Sequence, residues 1–166
     1  MLFRSKNKTL KKKLITPHWI EFTEGFKLFD FKSFVIWKYA GSFDSTRSRL
    51  HNDYEIIYHI SKGNDILLNE DKDEKDPLTS VWYIPHSIRE RLHPVQMPEK
   101  VAEKIIKLSS KEGDLVLDTF AGSGTTAVAC KNLNRNYIVV ELDPKYVSII
   151  NQRLAIVNND IQGNNK

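Results

Sequence analysis

The sequence predicts an α/β fold organised around a parallel sheet, and two observations carry the prediction. The first is the stretch Leu115-Val116-Leu117-Asp118-Thr119-Phe120-Ala121-Gly122-Ser123-Gly124-Thr125-Thr126. It opens as an apolar run closing on an acid, which reads as a buried strand. It then crosses a small-residue loop at 121–124 and continues as a helix from Thr125. Strand, glycine turn and helix make the ligand-binding corner of an α/β sheet, where a Cβ would block a ligand lying on the backbone. The second observation is the succession helix, strand, glycine loop, helix, strand, helix through the second half of the chain. That alternation implies parallel strands with right-handed crossovers.

The elements follow in chain order. Between Leu14 and Phe34, the residues Trp19, Phe22, Phe26, Leu28 and Phe29 are too apolar for a free tail, and Ile20 to Glu24 is expected to end a helix at Gly25. Phe34-Val35-Ile36-Trp37-Lys38-Tyr39 is a strand by its β-branched and aromatic content. Ala40 to Asn52 reads as a polar loop carrying Arg47 and Arg49, and Tyr54 to Ile60 as a second strand. Two strands across one loop predict an antiparallel pair at a sheet edge. Residues 69–77 form a charged connector with nothing to bury, and Val81 to Pro85 a short extended piece. Pro98 opens a helix whose apolar face is Val101, Ala102, Ile105, Ile106 and Leu108, with Gly113 past its end. Tyr137 to Glu141 is a further buried strand. Asp143-Pro144 supplies the N-cap and first-turn proline of a helix bearing Val147, Ile150 and Leu154. No internal repeat is present.

Composition bounds the class. A chain of 166 residues, 40% hydrophobic and 28% charged, is expected to be one soluble domain with a sizeable core. No apolar run approaches the roughly 20 residues of a membrane span, and no signal-peptide core follows Met1, so cytoplasm is the expected location. The lone Cys130 excludes a disulfide framework and reads as a small buried hydrophobe. The histidines 18, 51, 59, 86 and 93 show no ligand spacing, so no metal is expected. The net charge of +4 comes from residues 1–13, where Arg4, Lys6, Lys8, Lys11, Lys12 and Lys13 stand without an acid; the rest carries 19 basic against 21 acidic groups, or −2. Such a start suits phosphate contacts as well as it suits plain solvation.

Three ligands compete for the glycine corner. A phosphate-binding P-loop requires lysine where Thr125 stands, and that reading fails. Gly122-x-Gly124-x-x-Ala127 satisfies a dinucleotide fingerprint, with Glu141 at a suitable distance. The third ligand, S-adenosylmethionine, binds the same corner without a phosphate. Asp118 at the strand end would repel a pyrophosphate and favour the ammonium of a methionyl group. Only 166 − 127 = 39 residues follow Ala127, too few for the second half of a dinucleotide fold. Glu141 ends the next strand, where a carboxylate accepts both hydroxyls of a ribose. The residues favour S-adenosylmethionine, with a nicotinamide-dependent enzyme as a lesser alternative.

Taken together, these residues resemble the DNA amino-methyltransferases, which methylate adenine N6 or cytosine N4, in the class whose catalytic half precedes the cofactor half. Asp118-Thr119-Phe120-Ala121-Gly122-Ser123-Gly124-Thr125 is similar to that family's Asp-x-Phe-x-Gly-x-Gly-Thr cofactor motif. His93-Pro94-Val95-Gln96-Met97-Pro98 resembles its His-Pro-Thr-Gln-Lys-Pro segment, with Met97 replacing the lysine. Glu141-Leu142-Asp143-Pro144-Lys145-Tyr146, followed by Arg153, resembles its Glu-x-Asp-x-x-Tyr…Arg stretch. Upstream, Trp37-Lys38, Asp53-Tyr54-Glu55 and Ser61-Lys62-Gly63 look like the strands before the cofactor half, so the likeness runs from about Gly25 to Arg153.

The resemblance implies a Rossmann-like S-adenosylmethionine-dependent methyltransferase fold. It implies that Asp118 faces the methionyl ammonium, Phe120 lines the pocket and Glu141 binds the ribose. It also places Gly122, Ser123, Gly124 and Thr125 along the cofactor, with His93 and Gln96 at its methionyl end. The family's catalytic motif, Asp/Asn/Ser-Pro-Pro-Tyr/Phe/Trp, is absent: Pro17, Pro77, Pro85, Pro94, Pro98 and Pro144 include no adjacent pair. By the family's order the motif belongs before Met1, together with its strand. The fold is therefore expected to be incomplete, with no catalytic residue on this chain.

The expected organisation is a basic segment at 1–13, a methyltransferase domain at 14–157 and a disordered tail at 158–166. Within the domain, 14–85 is the remainder of the catalytic half and 86–157 the cofactor-binding half. DNA is the expected substrate, Arg47 and Arg49 are candidate DNA contacts, and a second polypeptide carrying the missing motif is the expected partner, drawn to an open apolar sheet edge. The alternative is a non-catalytic remnant or S-adenosylmethionine-binding module.

Overall fold

The computed structural model describes residues 29–39, 53–62, 68–69, 78–86 and 91–163, with residues 158–163 described by backbone alone. The basic segment 1–13, the helix end expected at 20–24, the loop with Arg47 and Arg49 and connector residues 70–77 lie outside these ranges. The chain divides into two compact units, Met1–Leu67 with Leu78–Pro85, and Leu68–Pro77 with His86–Lys166.

The first unit holds β1 (Asp30–Lys38), β2 (Tyr54–Ser61) and β3 (Val81–Tyr83) in the order β2-β1-β3. β1 and β2 pair antiparallel, as their sequence implies, with Val35 opposite Ile57 and Trp37 opposite Glu55. β1 starts at Asp30, ahead of the expected Phe34, because β2 runs on to Ser61 and pairs with it there, across an irregularity between Phe31 and Ser33. The short piece after the connector is β3, which runs parallel to β1 and sets Trp82 beside Trp37. Both indoles are buried, and each donates to a backbone carbonyl: Trp37 Nε1 to Ile84 at 2.8 Å and Trp82 Nε1 to Thr79 at 2.8 Å. Each ring thereby contributes apolar area without an unsatisfied N–H.

The second unit runs α1 (Glu99–Ser109), β4 (Leu115–Asp118), α2 (Thr125–Asn132), β5 (Asn136–Val139) and α3 (Pro144–Gly163). β4 and β5 form a two-stranded parallel sheet, Leu115 opposite Asn136 and Asp118 opposite Val139. The five apolar residues expected on α1 are all buried. Ala102 and Ile106 of α1 meet Ala129 and Cys130 of α2, and Val116 and Tyr137 pack against that cluster from one face of the sheet. Burial pushes the Cys130 thiol up to about 11, so it serves as packing.

Several helix ends differ from the sequence expectation. Pro98 is the N-cap of α1 rather than its first residue. α1 ends at Ser109 with Gly113 past its end, as expected, and there the hydroxyls of Ser109 and Ser110 donate back to the carbonyls of Ile105 and Ile106. Such local bonds compete with helix continuation. Asn69, the first residue of the supposedly idle connector, caps this end: its carboxamide donates to the carbonyls of Lys107 and Ser110 at 3.0 and 2.7 Å. Asp143 caps α3 as expected, Oδ1 accepting the Lys145 N–H at 2.9 Å. α3 continues past 157 to Gly163, so part of the tail expected to be disordered is helical. No proline interrupts residues 145–163, and the next glycine is Gly163 itself.

β4 and β5, expected from their apolar runs to be buried, are covered on one face only, and the opposite face of the sheet is bare. Leu115, Leu117, Ile138 and Val140 are 62, 56, 51 and 51% exposed. Parallel sheets are ordinarily covered on both faces, and two strands alone are marginal. Among the described residues no helix is long and apolar enough to cross a membrane.

Candidate functional site

The strand-to-helix turn after β4 is held by Asp118. Its Oδ1 accepts the Phe120 N–H at 3.0 Å and its Oδ2 the Thr126 hydroxyl at 2.6 Å, joining the strand end to the first turn of α2. Ala121 N–H donates to Val140 at 3.0 Å, and Gly124 N–H to Ala121 at 2.9 Å. Gly122 and Gly124 both take positive φ, +56° and +80°, a region costly for residues with a Cβ. The sequence argument set a ligand where their Cβ atoms would lie; at Gly124 the structure sets protein there instead. A Cβ on Gly124 would come within 2.8 Å of Ile150 Cγ1, and one on Gly122 would touch the His93 ring at 3.6 Å.

Glu141, just past β5, lies at the same C-terminal end of the sheet as Asp118, the end where open α/β sheets bind ligands. Its Oε2 accepts the Gly122 N–H at 2.7 Å and its Oε1 the Asp143 N–H at 2.9 Å. The Asp143 bond foremost, then those from Gly122 and Leu142 and the charge of His93, hold its carboxyl below the usual glutamate range against the opposing effect of burial. Each carboxylate oxygen keeps further acceptor capacity beyond one bond. Phe120 and Leu142, at this same end, are 80 and 96% exposed.

The segment before α1 forms a second wall. His93 Nδ1 accepts the Val95 N–H at 3.1 Å, and the ring packs on Tyr146 of α3 with centroids 4.5 Å apart. Gln96 is buried, and its Oε1 accepts the Leu92 N–H at 2.8 Å, closing the turn that carries His93. The Thr125 hydroxyl reaches the Met97 carbonyl at 3.4 Å, while the Met97 side chain packs against the α1–α2 cluster, where a lysine would bury its charge. Ser123 is buried, its carbonyl accepting from Arg153 Nη1 at 2.6 Å.

The structure thus gathers His93, Asp118, Phe120, Gly122, Ser123, Gly124, Thr125 and Glu141 around one turn, and makes Gln96 a fastener of the adjoining segment. Tyr146, Ile150 and Arg153 of α3 are its unassigned supports. Helical periodicity marked Ile150 as apolar, but nothing in the spacing said that it fills the place of a Gly124 side chain. Among the described residues no three histidine, cysteine, aspartate or glutamate side chains group as a metal site.

This α/β architecture with a left-handed glycine turn between a strand and a helix is that of the S-adenosylmethionine-dependent methyltransferases. A crystal structure of M1.HpyAVI complexed with SAM superposes with a TM-score of 0.70 at 31% identity, covering 84% of this chain and 71% of that one. The PvuII DNA methyltransferase, described as cytosine-N4-specific, shares the fold at a TM-score of 0.75 and 19% identity, over 90% of this chain and 60% of that one. A family model for DNA methylases, the N6/N4 methyltransferases, matches residues 5–152, and the chain belongs to that family. Among its relatives, the type II methyltransferase M.BglI of Bacillus subtilis is 34% identical over 108 residues, which are 62% of this chain and 31% of that protein. M.HpaI of Haemophilus parainfluenzae is 30% identical over 142 residues, 75% of this chain and 45% of that protein. The chain therefore spans less than half the length of these two relatives.

Proposed function

We propose that this chain is the cofactor-binding part of a site-specific DNA methyltransferase that transfers a methyl group from S-adenosylmethionine to adenine N6 or cytosine N4. The observation that carries the reading is the pair of carboxylates, Asp118 and Glu141, at the ends of two adjacent parallel strands on either side of a left-handed glycine turn. The donor set fits the cofactor. Glu141, ionised and with acceptor capacity left, suits ribose hydroxyls. Asp118 suits the methionyl ammonium, and the exposed apolar surfaces of Phe120 and Leu142 suit an aromatic base. Gly122 to Thr125 line the cofactor by their backbone, with His93 and Gln96 shaping the wall at the methionyl end.

When bound, the cofactor supplies an activated methyl group on a sulfonium. The chain's residues hold and orient it, and positioning of this kind supplies much of the rate in a group transfer. The group that orients the target amine belongs to the Asp/Asn/Ser-Pro-Pro-aromatic motif, and no adjacent prolines occur here. We assign that motif to a further polypeptide segment, whose strand extends an edge of the β4–β5 sheet. The domain boundaries at 13, 85 and 157, DNA binding and a cytoplasmic location belong to the same reading.

The missing proline pair also favours a second reading, an S-adenosylmethionine-binding module without catalysis. The two readings separate in a DNA-methylation assay with radiolabelled cofactor. The chain is tested alone and mixed with a polypeptide bearing an Asp-Pro-Pro-Tyr strand from the upstream part of a relative. No transfer alone and transfer on mixing supports the methyltransferase reading. Binding of cofactor with no transfer in either case supports the module, and transfer by the chain alone would remove the need for a second segment.

A further inference from the structure

We infer that Arg153 is a positioning residue that sets the conformation of the glycine turn. Three elements meet at its guanidinium. Nη1 donates to the Ser123 carbonyl at 2.6 Å and lies 3.4 Å from the Ser123 hydroxyl, while Nη2 donates to Oε1 of Glu99 in the first turn of α1. The Arg153 side chain is only 11% exposed and Ser123 is buried, so water does little to weaken the bond between them, whereas Glu99 is 46% exposed and its contact is open to solvent.

The Ser123–Gly124 peptide is a rigid plane. Arg153 holds its carbonyl end, and Gly124 N–H donates from its other end to the Ala121 carbonyl at 2.9 Å. With both ends fastened, the plane cannot rotate, and the torsions that flank it, ψ of Ser123 and the left-handed φ of Gly124, are fixed with it. The Glu99 contact ties the same guanidinium to the helix that follows the His93–Pro98 segment, so one side chain registers the turn against that second wall. A lysine carries the charge without the planar fork and serves only one of these acceptors well.

The role rests on the reading that this turn binds S-adenosylmethionine, and the test separates the two. Wild type, Arg153→Lys and Arg153→Met, each as the full chain, are titrated with S-adenosylhomocysteine by calorimetry. Backbone amide resonances of Gly122, Ser123 and Gly124 are recorded without ligand. Loss of a charged hydrogen bond of this kind predicts binding weakened roughly 10- to 100-fold in Arg153→Met, with Arg153→Lys between it and wild type. The resonances of the three turn residues shift in both variants, while those of Cys130 and Ala129 in α2 hold. A Glu99→Gln variant, which keeps the Ser123 contact, loses less affinity than Arg153→Met. Unmoved turn resonances overturn the inference whatever the ligand result. So does wild-type affinity in Arg153→Met. Failure of the wild type itself to bind, with shifted turn resonances in the variants, overturns the cofactor reading and leaves the clamp standing.

Discussion

On one face of the β4–β5 sheet, Val116 and Tyr137 pack under α1 and α2 against Ala102, Ile106, Ala129 and Cys130; on the other, Leu115, Leu117, Ile138 and Val140 are at least half exposed. The same two strands thus carry a finished face and an unfinished one. The turn that gathers the candidate cofactor residues draws its supports from the finished side. Thr125 reaches Met97, Gly124 abuts Ile150, Ser123 is held by Arg153, and Gly122 is held by Glu141. A further tie, Ala121 N–H to the Val140 carbonyl, reaches a residue of the bare face through its backbone alone. The binding corner is therefore built without side chains of the bare face.

The largest test of this contrast is paired truncation. Ile106→Ala in the finished layer is expected to cost about 3.5 kcal/mol in denaturant unfolding, by lost burial and a residual cavity. Leu117→Ala on the bare face is expected to cost about 0.5 kcal/mol. Equal costs would mean that the two faces are not distinct. A second pair probes the turn. Gly124→Ala meets both a left-handed φ and the Ile150 side chain, and is expected to lose about 3 kcal/mol. Gly113→Ala has a similar φ of +82° but open space, and is expected to lose about 1 kcal/mol. If Gly113→Ala proves the worse of the two, the packing of Ile150 does not constrain the turn.

The smallest expected effect is a pH dependence. The Glu141 carboxyl is depressed in the folded chain, so its contribution is complete above the unfolded value of about 4.3 and is lost as pH falls through the lower folded value. Glu141→Gln should flatten that acid limb of the stability profile. An unchanged acid limb would show that the bonds from Gly122 and Asp143 do not favour the ionised form.

Local signals in the sequence were enough for the elements around the turn. The apolar run into Asp118, the small residues of 121–124, the Asp143-Pro144 cap and the α1 stripe each leave a trace within a few residues. The antiparallel pairing of β1 and β2 was legible for the same reason. What escaped was long-range. Asn69 caps a helix that ends 40 residues later at Ser109, β3 joins β1 across an intervening strand, and Arg153 reaches a carbonyl on another element. Such contacts depend on where the fold brings two segments and leave no period in either. The glycines show a subtler miss, since their positions were found but Gly124 is needed first for Ile150 and for its φ.

The central claim is that this chain builds a working S-adenosylmethionine site. Calorimetric titration of the purified chain with S-adenosylmethionine, beside an Asp118→Ala control, tests it most directly. Saturable one-to-one binding by the wild type, abolished in Asp118→Ala, is the predicted result; a folded wild-type chain that takes up no cofactor would contradict the claim.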